Sequence, residues 1–550
     1  HMNRILHRCQ VDRLLVTACT FMLTWGAMTA ATAAPTPYQL PLLGASPVAP
    51  NVIFTLDDSG SMLSPIMPES LGSDKADGNC CNVQTMAVEE SVDAYSYSGG
   101  NERAYGLLPT RMPTRPSGEY LADARRRSSQ ANTIYYNPEE RYDPWTNSDG
   151  NLRARPTAAS TTNWTKVPTE GESTLTNFTP RSLGTSTKWC LTIGTCNSLS
   201  SFNGNAPETN AAADYDPTVY YILDNATSPT YAGTVRVSIW NMRQYRTSNT
   251  SGATISSFIR GNKRTDCTLT SGQRVCTQAQ ELQNFATWYQ YHRTRLMLAK
   301  ASVSKAFSSP DVSGFRLGWG ALNNIEGSAT IGVDNVNTQT LRQGVRNYTT
   351  THRDAFYTWL FNKDANSGTP LRRAIDDIGK YYSREDSRGP WADEPGTSNS
   401  QTSGSYASCR RAFHILTTDG YWSGDTASAA STSGAQADVE AVDGPTITGP
   451  NSQSYQYKAS ATANTRYKDG ASNMLADVAM YYWNRDLAPN MANKIAPTTK
   501  NEAFWQHMVN YTVGLGVSGR LNNPADQAGI EATPQTKKWQ PTGTTASSAD

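Results

Sequence analysis

An apolar run, Val52-Ile53-Phe54-Thr55-Leu56, stops abruptly at Asp57-Asp58-Ser59-Gly60-Ser61. A short run rich in β-branched and aromatic residues reads as a buried strand. Its ending gathers a carboxylate and two hydroxyls in one tight turn. In an open α/β sheet, turns at the carboxyl ends of strands form the edge where ligands bind. Hard oxygen donors carrying little charge suit a small divalent cation such as Mg²⁺, with coordination positions left for water or an outside carboxylate. Taken alone, the same residues also make an ordinary Asx or Ser turn.

Two later segments add to the first. Ser367-Gly368-Thr369-Pro370-Leu371 leads into a run in which Leu371, Ala374, Ile375 and Ile378 recur at helical spacing. Thr369 is placed as the N-cap and Pro370 as the first helical residue. Ala412-Phe413-His414-Ile415-Leu416-Thr417-Thr418-Asp419-Gly420 is a second apolar strand ending in an acid and a glycine. The ordered set resembles the von Willebrand factor A domain, whose metal-ion-dependent adhesion site draws ligands from three separate loops. The resemblance implies that Asp57, Ser59 and Ser61 ligate from the first loop, Thr369 from the second and Asp419 from the third. It implies Mg²⁺, or another divalent cation such as Mn²⁺ or Ca²⁺. An acidic group on the bound partner would complete the shell.

The chain has 550 residues, enough for more than one domain. Its net charge is +1, without a block of like charge that would point to nucleic acid or an anionic membrane. A mean hydropathy of −0.55 is low for a compact cytosolic enzyme. Ser, Thr, Asn, Gly and Tyr fill the gap, as in many extracellular proteins. Residues 1–33 read as a secretory signal: Arg4, Arg8 and Arg13, an apolar stretch over 14–28, and small residues at Ala31 and Ala33. No other segment reads as a membrane span. Of nine cysteines, Cys9 and Cys19 leave with the signal, and export favours oxidation of the remaining seven. Cys267 and Cys276 are expected to staple a hairpin, and Cys190 and Cys196 to close a small loop. Among Cys80, Cys81 and Cys409, one is left over.

The expected fold class is α/β, a doubly wound and mostly parallel sheet assembled from residues 50–62 and 279–520. The 3- and 4-residue spacing from Leu282 to Phe307 predicts one continuous helix that packs on the sheet. Residues 63–278 are then an insertion after the first strand, too long for a loop. Short aromatic and β-branched runs there, around Thr133 to Tyr136, Val219 to Ile222 and Thr234 to Trp240, predict a β-rich subdomain. A short edge strand is expected at residues 330–333. The Ser-, Thr-, Ala- and Gly-rich stretch 423–472 reads as a loose excursion, and 521–550 as a polar tail.

Further phrases resemble the PilC/PilY family of type IV pilus tip adhesins and biogenesis factors: Tyr135-Tyr136-Asn137-Pro138, Tyr142-Asp143-Pro144-Trp145, Asn284-Phe285-Ala286-Thr287-Trp288-Tyr289, Arg293-Thr294-Arg295-Leu296-Met297 and Leu475-Ala476-Asp477-Val478-Ala479-Met480-Tyr481-Tyr482-Trp483. The resemblance implies a secreted adhesin at the pilus tip, cell surface or outer membrane, working with minor pilins and binding a host, surface or pilin ligand through the metal site. It also implies a C-terminal β-propeller-like module with a calcium site, before which the chain is expected to be truncated. The alternative is a mechanical cap of the pilus tip that depends on the insertion and disulfides. Catalysis is not expected. No Gly-x-Ser-x-Gly elbow is present, His292 falls on a helix packing face, and His414 falls inside a strand.

Overall fold

The computed structural model describes residues 48–64, 66–68, 124–155 and 218–226. It also describes most of 233–422 and of 438–517, strand segments between 181 and 215, and residues 525–532. The signal-like segment, Cys80 and Cys81 lie outside the described residues. Among those described, no helix is long and apolar enough to cross a membrane.

The protein is mixed α/β. Strand β1 (Asn51–Leu56) is followed, after the insertion, by helices α1 (Gln278–Tyr291) and α2 (Arg295–Phe307). Next come β2 (Arg316–Ala321), β3 (Leu341–Asn347), α3 (Thr350–Asn362) and α4 (Leu371–Tyr382). Strand β4 (Ala412–Thr418), α5 (Leu475–Tyr481) and β5 (Met508–Gly514) complete the central layer. The sheet order is β3-β2-β1-β4-β5. β1 pairs in parallel with β2 and β4, β4 with β5, and β3 runs antiparallel to β2.

Burial follows the two-residue period of a strand. Val52, Phe54 and Leu56 face one core with Leu296, Val303 and Phe307 of α2 and Phe356 and Leu360 of α3. Ile53 faces the other with Ala374, Ile375 and Ile378 of α4 and Val478. Helices thus cover both faces, which is why the β1 sequence is apolar without alternation. The α4–α5 side is packed closely: a Cβ added at Gly379 would lie 2.4 Å from the Tyr482 ring.

Several elements differ from the sequence expectation. The run from Leu282 to Phe307 is two helices, broken at His292–Thr294, because the Thr294 hydroxyl accepts from the Met297 amide and starts a new helix. Only α2 packs on the sheet. α1 packs within the insertion, against Tyr135, Tyr136 and Phe258. The edge strand is not 330–333, which pairs in a small hairpin (Ile331–Val333 with Val336–Thr338), but β3. The mixed polarity of Leu341-Arg342-Gln343-Gly344 hid β3, as edge strands allow. The helix after Thr369 begins one residue late. Pro370 takes the N-cap position and the Thr369 carbonyl accepts from Leu371, so Thr369 is not the cap.

The insertion holds a four-stranded and a three-stranded sheet among its described parts. Val219–Ile222 and Val235–Ser238 are strands, as expected. Thr133 to Tyr136 forms turns instead, its rings buried among aromatic neighbours rather than laddered. A disulfide joins Cys267 to Cys276. Cys190 and Cys196 sit opposite each other on paired strands, and whether they are bonded lies outside the described residues. Cys409 is exposed and free. Within 423–472, residues 438–467 are not loose: they make 3₁₀ turns and a short ribbon, with Val439, Ile447 and Tyr457 buried. The polar tail contains the helix Ala525–Glu531, with Ile530 buried.

Candidate metal centre

The strand order reverses between β1 and β4: the chain builds outward to β2 and β3, then returns to the other side of β1. Such a switch point leaves a crevice at the carboxyl ends of the strands. The β1 turn and the β4 turn both open into it.

Asp57 is fully buried, and its Oδ1 accepts from the Ser59 amide at 2.8 Å, closing an Asx turn. Its Oδ2 accepts from the Thr418 hydroxyl at 2.7 Å. The Ser59 and Ser61 hydroxyls are 2.9 Å apart, and Ser61 donates to Asp419 Oδ1 at 2.8 Å. Four of the five sequence-predicted residues, Asp57, Ser59, Ser61 and Asp419, are therefore joined by hydrogen bonds across some 360 residues of chain. Thr369 is buried. Its neighbour Gly368 is tied to the β1 turn through Asn323, whose side-chain amide donates to the Gly368 carbonyl at 2.6 Å and to Asp58 Oδ1 at 3.2 Å.

Sequence reasoning missed four members of this cluster. Asn323 also donates its backbone amide to Asp58 Oδ1 at 2.8 Å. Lys363, partly exposed, pairs with Asp58 Oδ2 at 2.5 Å, and Arg295 pairs with Asp419 Oδ2 at 2.8 Å, shielded from water. Thr418 completes the set. Only the position of Asn323 just past β2 hinted at a role. Arg295 was hidden by the apparent continuity of the helix it begins.

Charge accounting singles out Asp57. Asp58 and Asp419 each face a cation of the protein, and Asp57 has only neutral donors. Burial, then the charge of Asp419, push its carboxyl up to about 7, against the downward pull of the Ser59 and Thr418 hydrogen bonds. Hydroxyls and carboxylates converging on a cation-deficient pocket fit a hard divalent ion. Of the five sequence-predicted residues, Asp57, Ser59, Ser61 and Asp419 converge where it would sit. A second acidic group, Asp438, Glu440 and Asp477, brings three carboxylates within ligand distance of one another. Burial and Asp477 push Glu440 up to about 9.

The fold and rim define a mixed α/β protein with a buried oxygen-donor cluster at the switch point of its central sheet. Comparison with curated proteins gives it relatives. The chain is 36% identical over 262 residues to the type IV pilus biogenesis factor PilY1 of Pseudomonas aeruginosa strain PAK, taking in 45% of this chain and 20% of that protein. It is 33% identical over 267 residues to PilY1 of the strain PAO1 group, 46% of this chain and 21% of the relative. Against PilY1 of strain UCBPP-PA14 it is 27% identical over 530 residues, 92% of this chain and 34% of the relative. The chain is thus a homologue of pilus biogenesis factors, as the aromatic phrases implied, and spans no more than about a third of their length. No family model matches it, and no solved structure does.

Proposed function

We propose that this chain is the von Willebrand factor A-like part of a type IV pilus-associated adhesion and biogenesis factor. It acts as a binding module and not as an enzyme. The cation, Mg²⁺ in the first instance, is held by Asp57, Ser59, Ser61, Thr369 and Asp419, and takes a carboxylate from a surface, host or pilin ligand into an open position. The working address is the pilus or cell surface, with minor pilins as partners. The sheet order with one antiparallel edge supports the A-like reading, and the pilus relatives support the setting. The single observation that carries the cation is the hydrogen-bonded convergence of the β1 and β4 turns on an unneutralised Asp57. His292 and His414 support a non-catalytic role, being engaged with the Asp143 carbonyl and with Thr55 and Asn510.

Isothermal titration with Mg²⁺ and Mn²⁺ tests this reading. Saturable binding by the native chain is expected, lost in Asp57→Ala and weakened roughly tenfold or more in Ser61→Ala. Equal affinity in native chain and Asp57→Ala would end the metal reading.

A further inference from the structure

A second feature lies between β2, β3 and α3, on the β3 side of the rim. A cleft of about 530 Å³ is lined by Trp319, Arg342, Gln343, Trp359, Asn362 and Lys363, among others. This falls within the range of small-molecule sites.

Trp319 is 3% exposed, and its indole N–H has no acceptor among the described residues. That sets it apart. The other buried indoles, Trp145, Trp288, Trp391 and Trp505, each donate to a backbone carbonyl. A buried donor without an acceptor is costly unless something supplies one.

The β2–β3 ladder is irregular at this point. Trp319 pairs with Gln343 and Gly320 with Leu341, so Arg342 is the extra residue of a bulge. Bulges re-aim side chains and recur beside functional sites. Arg342 is exposed and has no carboxylate partner among the described residues, and no acidic residue lines the cleft. The half-buried Trp359 offers an aromatic face, and the amides of Gln343 and Asn362 offer both donors and acceptors.

We propose that this cleft binds an acidic monosaccharide unit. The sugar ring lies on Trp359, its carboxylate pairs with Arg342, and a ring or hydroxyl oxygen accepts from Trp319. A planar guanidinium suits a carboxylate, an indole suits the apolar face of a sugar ring, and amides suit its hydroxyls. The cleft does not rest on the cation reading. Lys363 belongs to both neighbourhoods, lining the cleft while paired with Asp58.

The test is titration of the full chain with galacturonic acid, followed by saturation-transfer NMR. The methyl ester, galactose and acetate are controls, and every arm is run in Mg²⁺ and in chelator. Galacturonic acid is expected to bind saturably in both media, with the ester and galactose weaker by about tenfold. Arg342→Ala, a surface change, is expected to lose about as much. Trp319→Phe, which keeps the ring, is expected to lose several-fold with its melting temperature retained. Asp57→Ala is expected to bind the sugar like the native chain. No saturable binding, equal binding of galactose or acetate, or full affinity in Arg342→Ala overturns the proposal. Loss in Asp57→Ala with Arg342→Ala unaffected places the sugar at the cation rim and overturns it as well.

Discussion

Arg295 shows how a single residue sets the character of the rim. Its guanidinium is almost fully buried, pairs with Asp419 Oδ2, and donates to the Ile66 carbonyl at 2.9 Å. Removing one partner of a buried pair leaves the other charge uncompensated, at a cost of about 3–5 kcal/mol. A bound divalent cation would offset part of that loss. Arg295→Met is therefore expected to lose more stability in chelator than in saturating Mg²⁺ when melts are compared. Equal losses would reduce Arg295 to a structural role. His414 makes a separate prediction. Its Nε2 and Nδ1 lie 2.9 Å from the Thr55 hydroxyl and from Asn510 Oδ1, so Nδ1 carries the proton and Nε2 accepts. Burial pulls its pKa down to about 4, with the Asn510 bond opposing. The folded value lies below the unfolded one, so the unfolded chain takes up the extra proton. Stability from a neutral His414 is complete above about pH 6.5 and falls as pH drops toward 4, by up to roughly 3 kcal/mol. In denaturant titrations, the lead of the native chain over His414→Gln should shrink between about pH 7 and pH 4.5.

At the scale of elements, the insertion is held by a staple and an aromatic core. Cys267 and Cys276 join strands whose outward residues, such as Leu269, are exposed, leaving little apolar burial to hold the hairpin. By loop-closure entropy, the short ring contributes about 2.5 kcal/mol. The paired change Cys267→Ser with Cys276→Ser is expected to raise proteolytic cleavage within residues 258–276. Cation affinity should stay unchanged, since no residue of the hairpin reaches the rim. A parallel fall in Mg²⁺ affinity would instead show that the hairpin is coupled to the rim. Beneath the hairpin, buried Glu281 accepts from Arg260, Arg264 and Tyr136. This charged knot fixes α1 against the insertion and explains why α1 does not continue onto the sheet.

At the scale of the molecule, the insertion shares its core with the sheet domain. Trp145 stacks on Phe361 of α3, with ring centres 5.2 Å apart, and donates to the Tyr291 carbonyl at the end of α1. The first residues of the insertion are also held near the rim. The Ser64 carbonyl accepts from the Arg295 amide, and Met67 exchanges hydrogen bonds with Asn132 and Thr133. Truncating Trp145 opens a cavity at this junction and is expected to cost about 3–5 kcal/mol. Calorimetry of Trp145→Ala should show the transition moved down or split in two. An unmoved single transition would mean that the two parts hold together without this contact.

Much of the architecture is legible in the chain itself. Val52 to Leu56 and Ala412 to Thr418 are continuous apolar runs that only a sheet covered on both faces can bury, and the acids and hydroxyls that end them mark the rim. Local pattern encodes that much, because strand burial and turn chemistry are short-range properties. Other features escape that pattern, some through local capping and others through contacts between residues far apart in sequence. Thr294 starts a second helix where periodicity predicts continuity. Pro370 displaces Thr369 from its cap. Arg295 and Lys363 reach the rim from helices whose patterns advertise only packing, and among the described residues Trp319 has no acceptor where the other buried indoles have one. Which charges meet, and which donors are left without partners, depends on how the strands are ordered, and no local stretch of sequence carries that order.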